Sequence, residues 1–140
     1  MFRDIIIVFD DLKTCPEALT YGREFALRMD ARTTLLVLVP MRFAGRTLLG
    51  SQRTVLNRIE KRAAELLSNA SAPFLQQGLE ISSAIRVGEP GQELLKFLAD
   101  RPPVQAVIWG SGTDLPSRGH WMTRAAGNME CPLLTVSKKM

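Results

Sequence analysis

Three places in the 140-residue sequence combine residue types that could hold a ligand: Asp10-Asp11, Val39-Pro40 and Gly110-Ser111-Gly112. A carboxylate at Asp10 can accept hydrogen bonds from a ligand amine or hydroxyl, or help to hold a metal. The same aspartate can equally serve its own turn and cap the helix that follows. In Gly110-Ser111-Gly112 the small residues would let backbone N–H groups approach an anion closely. Gly-x-Gly is weakly specific by itself, and the dinucleotide pattern would need a third glycine where Leu115 stands. His120 is the only histidine, and the sequence assigns it no serine or cysteine as nucleophile, so a helix-start or surface position is the plain alternative. Trp109 and Trp121 bracket the loop, where core packing is the default and ligand stacking the rival.

Several known chemistries do not fit. A phosphoacceptor receiver domain needs a further aspartate at the end of its third strand, and none lies between Asp30 and Asp100. A dehalogenase-type phosphotransferase needs Asp-x-Asp, where this chain has Asp10-Asp11-Leu12-Lys13. The stretch Gly45 to Gln52 has the glycine spacing of a phosphate loop, yet no lysine follows Gly50 to meet the phosphates. Across residues 40–62, Arg42, Arg46, Arg53, Arg58, Lys61 and Arg62 stand against Glu60 alone, a local charge of +5 in a chain of net +4. Without interleaved aromatics this reads as a solvated helix face rather than a nucleic-acid surface, an anionic partner being the alternative.

The elements that must position these residues follow from the hydrophobic pattern. Ile5 to Phe9 is a continuous apolar run, as in a strand buried on both faces. Thr14 is a candidate N-cap and Pro16 fits a first helical turn, after which Ala18, Leu19, Gly22, Phe25, Ala26 and Met29 recur at helical spacing. Thr33 to Val39 repeats the buried-strand pattern and Pro40 ends it. A helix is expected from about Thr54 to Gln77, stopped by Gly78. Leu79 to Val87 alternates like a strand near an edge. A short helix Glu93 to Ala99, a strand Val104 to Trp109, a helix from about His120 to Gly127 and a strand Leu133 to Val136 complete the chain. This strand–helix alternation predicts a single α/β domain over residues 1–140, a five-stranded parallel sheet with helices on both faces. In such a sheet the ligand crevice lies beyond the carboxyl ends of the strands, where Asp10, Val39 and Gly110 fall.

Composition agrees with that class: 46% hydrophobic and 23% charged residues suit a globular fold. The opening apolar run is too short for a signal or membrane segment. Cys15 and Cys131 are unclustered and expected to be reduced, which points to the cytoplasm.

Four pieces in order resemble the universal stress protein family across nearly the whole chain. Ile5 to Asp10 followed by Pro16-Glu17-Ala18-Leu19 is similar to its opening, and Val87-Gly88-Glu89-Pro90 with Leu94-Leu95 to its third strand and next helix. Val107 to Ser111 resembles its fourth strand running into the ligand loop, and Cys131 to Val136 its ending. The resemblance implies a homodimer paired through Leu133 to Val136. In ATP-binding members, Gly-x2-Gly-x9-Gly-Ser/Thr cradles the phosphates, and residues ending the first two strands hold adenine. By position the adenine contacts would be Asp10 and Val39, the first glycine Gly110, the third Gly119, and the hydroxyl position His120. Thr113 stands at the second glycine, with Gly112 beside it as a substitute, and only five residues separate Thr113 from Gly119. A Cβ at Thr113, the missing N–H of Pro116 and the lost hydroxyl at His120 each remove part of the cradle. The expectation is therefore a non-enzymatic regulatory or interaction protein without a cofactor. The alternative is an ATP- or AMP-binding sensor with an altered, shortened phosphate loop and slow hydrolysis.

Overall fold

The computed structural model describes residues 3–40, 49–114 and 116–136, with side chains of the second helix described from Arg53 onward. The order is β1 (Arg3–Asp10), α1 (Pro16–Met29), β2 (Ala31–Pro40), α2 (Leu49–Gln76), β3 (Ile81–Gly88), α3 (Pro90–Ala99), β4 (Ala106–Trp109), α4 (Trp121–Ala126) and β5 (Leu133–Leu134). The strands form one five-stranded sheet in the order β3-β2-β1-β4-β5, and every pairing is parallel. The expected α/β class and the elements hold. Strand order reverses between β1 and β4, which places the switch-point crevice beside Asp10 and Gly110.

Alternation along the strands divides the core. Ile5, Ile7, Phe9, Leu35 and Val37 pack against the α1 and α2 side chains Ala26, Ala63, Leu67 and Phe74. Ile6, Val8, Leu36, Leu38, Val107 and Trp109 face the opposite way, onto Leu94 and Phe97 of α3 and Met122 and Ala125 of α4. Helices thus cover both faces, and β1 and β2 are buried on both. Gly22 lets α1 lie close to β1, since a Cβ there would stand 2.5 Å from Ile7 Cδ1.

Helix ends differ from the sequence expectation in instructive ways. Cys15, not Thr14, is the N-cap residue of α1 and makes no side-chain cap bond. Its backbone N–H instead reaches Gly110 O at 2.9 Å, so the tertiary fold satisfies the helix end. Helix α2 begins at Leu49 rather than near Thr54. It stops at Gly78 as expected, with φ +75°. There Gly78 N–H bonds Leu75 O and Leu79 N–H bonds Phe74 O, the paired bonds of a Schellman ending. Helix α3 starts three residues early because the Glu89 carboxylate accepts the N–H groups of Gly91 and Gln92. β3 starts at Ile81 rather than Leu79, and β4 at Ala106 rather than Val104. β5 is shorter than expected, Leu133–Leu134, because only those residues find ladder partners, in Val107 and Ile108.

Of the basic stretch, Arg42 and Arg46 lie outside the described residues, as do Gly45 and Leu115. Arg53, Arg58, Lys61 and Arg62 are exposed on α2, in keeping with a solvated face. No helix among the described residues is long and apolar enough to cross a membrane.

Candidate functional site

At the switch point, the carboxyl ends of β1 and β4 are sewn together by one side chain. Ser111 Oγ accepts the Asp10 N–H at 2.7 Å and donates to Lys13 O at 2.7 Å. Ser111 stands inside the glycine-flanked motif, but its partners lie about a hundred residues away, so nothing local reveals the role. Asp11 continues the seam: it adopts φ +60°, and its N–H bonds Leu38 O at 2.8 Å.

The Asp10 carboxylate turns toward the start of α4. His120 Nε2 lies 3.3 Å from Asp10 Oδ2, and Trp121 Nε1 donates to Asp10 Oδ1 at 3.4 Å. His120 is the N-cap residue of α4, its Nδ1 accepting the Met122 N–H at 3.0 Å. A ring nitrogen that accepts carries no proton, so in neutral His120 the proton sits on Nε2 and is donated to Asp10. One imidazole therefore closes the helix and ties it to β1. The ring is 5.3 Å from the centres of both Trp109 and Trp121, and the two indoles meet edge to face at 5.8 Å. Trp109 is buried, as the packing reading of it expects, and Trp121 is half-buried with its N–H on the carboxylate.

The glycines separate by role. A Cβ on Gly110 would stand 2.7 Å from Phe9 Cε1 and 2.8 Å from Ile7 Cγ2, so the core itself requires glycine there. Its N–H bonds Val8 O at 2.7 Å. A Cβ on Gly112 would touch only Trp109 Nε1, at 3.6 Å, and one on Gly119 would meet open space. Val39 is buried in the core under α1 and α2, in register with Val87. Asp10, Gly110 and His120 are thus brought together, whereas the Gly112, Gly119 and Val39 side positions make no polar contact with them.

Other loop amides are engaged too: Asp114 N–H bonds Val136 O at 2.8 Å, and His120 N–H bonds Ser117 O at 3.0 Å. Thr123 Oγ1 donates to Ser117 O at 2.9 Å. No group of three or more His, Cys, Asp or Glu side chains suited to a metal occurs among the described residues. Both thiols are held protonated. Burial, followed by the hydrogen bond to Glu17, pushes the Cys15 thiol up, and burial does the same to Cys131. They are free cysteines.

The sequence matches the family model of the universal stress protein family over residues 1–137. Comparison with curated protein sequences gave no match. Among solved structures, the fold is similar to a universal stress protein family member from Burkholderia pseudomallei, with TM-score 0.72, 16% identity and 96% of each chain covered. It is similar to an Arabidopsis thaliana universal stress protein family protein with AMP bound, at TM-score 0.68 and 16% identity, covering 98% of this chain and 92% of that one. The Archaeoglobus fulgidus universal stress protein in complex with dAMP aligns at TM-score 0.61 and 22% identity, over 99% of this chain and 100% of the other. At these identities the likeness is one of fold.

Proposed function

The chain belongs to the universal stress protein family, and from that premise we propose a non-enzymatic regulatory or interaction protein of the cytoplasm that does not bind ATP as its nucleotide-binding relatives do. The observation that carries this reading is the pair of rings on the Asp10 carboxylate, His120 at 3.3 Å and Trp121 at 3.4 Å. A base or ribose seeking those oxygens must displace an imidazole that also caps α4 and packs on two indoles. Phosphates fare no better, since the N–H groups of Gly110, Asp114 and His120 already have protein acceptors and Pro116 has none to give. The chain's own side chains thus occupy the Asp10 carboxylate, while a cavity of about 1030 Å³ stays open beside Ser111, Gly112 and Thr113.

A homodimer through the last strand belongs to this proposal. β5 lies at the sheet edge, pairs only with β4 among the described residues, and leaves Leu133 to Val136 half-buried. An unpaired apolar edge favours pairing with another copy of itself.

A second reading rests on the Arabidopsis thaliana and Archaeoglobus fulgidus proteins, solved with AMP and dAMP. On it, Asp10 and Val39 hold adenine, and the shortened loop around Gly110, Gly112, Gly119 and His120 opens to meet phosphate. One experiment separates the two. The purified protein is denatured to release any bound small molecule, and fresh protein is titrated calorimetrically with ATP and AMP, with and without Mg²⁺. No copurified nucleotide and no heat at millimolar ligand supports the first reading. Micromolar ATP affinity overturns it.

A further inference from the structure

A second polar cleft, of about 620 Å³, runs between β3 and α3 and shares no residue with the Asp10 crevice. Its floor is Phe97, which is buried. Two guanidiniums rest on that one ring: Arg86 from β3, 5.1 Å from its centre, and Arg101 from beyond α3, at 4.4 Å. One cation on an aromatic face is ordinary packing. Two on the same ring hold like charges no farther apart than those distances combined, and neither arginine forms an ion pair among the described residues. Glu93, one of the two carboxylates in the cleft, is held by Lys96 at 3.4 Å. With Asp100 also in the cleft, three cations face two carboxylates.

Hydroxyls complete the site. Ser82 Oγ and Thr34 Oγ1, both in the cleft wall, lie 3.0 Å apart. Only one of them can donate to the other, so one O–H proton remains for a ligand. An adjoining hollow of about 290 Å³ shares Thr34, Ser82 and Arg101 and extends toward Glu80, giving room for a polar ligand body. Arg86 spends one N–H on Ile85 O at 3.0 Å, and the remaining donors of the two guanidiniums, with a hydroxyl in the same cleft, suit a tetrahedral anion with several acceptor oxygens better than a flat carboxylate.

We propose that this cleft binds a small phosphate monoester, with Arg86 and Arg101 gripping the phosphoryl oxygens and the Ser82–Thr34 pair donating the third hydrogen bond. The site is independent of the Asp10 crevice, and its failure would leave the proposed function untouched.

The test is amide and arginine side-chain NMR on the full chain, titrated with inorganic phosphate and with glycerol 3-phosphate, using acetate at matched ionic strength as the comparison. Saturable shifts at Ser82, Ala84, Arg86 and Arg101 with both phosphates, and none with acetate, are expected. Arg86→Gln and Arg101→Gln should each weaken binding about tenfold, the loss of one charge-assisted contact, while the remaining spectrum stays folded. Phe97→Leu, which keeps an apolar floor, should weaken it by less. Equal shifts with acetate, affinity unchanged within twofold in both arginine variants, or perturbation centred on Gly110 and His120 would each overturn the proposal.

Discussion

Gly110→Ala separates a glycine kept for phosphate from a glycine kept for packing. The added methyl carbon would stand 2.7 and 2.9 Å from two Phe9 ring atoms and 2.8 Å from Ile7 Cγ2. Relaxed carbon contacts are about 3.5–4 Å, so two side chains must retreat by about 1 Å. Both are fully buried, and the glycine cannot withdraw, because Val8 O and Cys15 N–H hold it on either side at 2.7 and 2.9 Å. Overpacking of this kind costs about 1–3 kcal/mol, and clashes with two unyielding neighbours put the cost near about 3 kcal/mol. For a chain of this length that lowers Tm by about 10 °C. Gly112→Ala and Gly119→Ala meet ordinary contact or open space and should shift Tm by under about 2 °C. Differential scanning calorimetry on the three variants reads all of this. A Gly110→Ala protein melting within about 2 °C of the parent, or three equal losses, would refute the packing argument.

The remaining predictions use other parts of the same frame. Ser111→Ala removes two 2.7 Å bonds that join the β1 and β4 loops and should cost about 2 kcal/mol in urea unfolding. A loss under about 0.5 kcal/mol would show the seam to be incidental. Thr33 Oγ1 is buried with no hydrogen-bond partner among the described residues, so Thr33→Val, the same shape without the hydroxyl, should raise stability by about 1 kcal/mol in the same assay; any decrease contradicts this. Since both cysteine pKa values are raised above 9.0, the unfolded chain ionises first. The thiols therefore leave stability unchanged below about pH 9 and erode it as pH climbs past that value toward their folded pKa values. The doubly substituted Cys15→Ala, Cys131→Ala protein should show a shallower alkaline loss than the parent, and an identical alkaline limb would count against it. Leu134→Arg, on the half-buried edge strand, should convert a dimer to a monomer by light scattering; a dimer that persists would place the interface elsewhere.

Much of the fold was readable because its signals are local. Five buried apolar residues in a row at Ile5 to Phe9 need no partner to be recognised as an interior strand. Gly78 ends α2 through its own backbone geometry, and His120 was legible as a helix start. The ends of elements were less legible where distant atoms set them. Thr14 looks like a cap by residue type, yet it is the Cys15 N–H that finds an acceptor at the α1 terminus, in the Gly110 carbonyl just past β4. β5 has the composition of a four-residue strand, but only Leu133 and Leu134 find ladder partners in β4.

The candidate site divides along the same line. Residue types and order alone placed Asp10, Val39 and Gly110 at the carboxyl end of a parallel sheet, because strand polarity is a property of the sequence, whereas His120 entered the site only through the family resemblance. They could not tell which side chains the Asp10 carboxylate meets. That was decided in three dimensions, where packing brings His120 and Trp121 onto Asp10 across more than a hundred residues and lets Ser111 close the seam. Hydrogen bonds act over about 3 Å, and only the folded chain determines which atoms come within that reach.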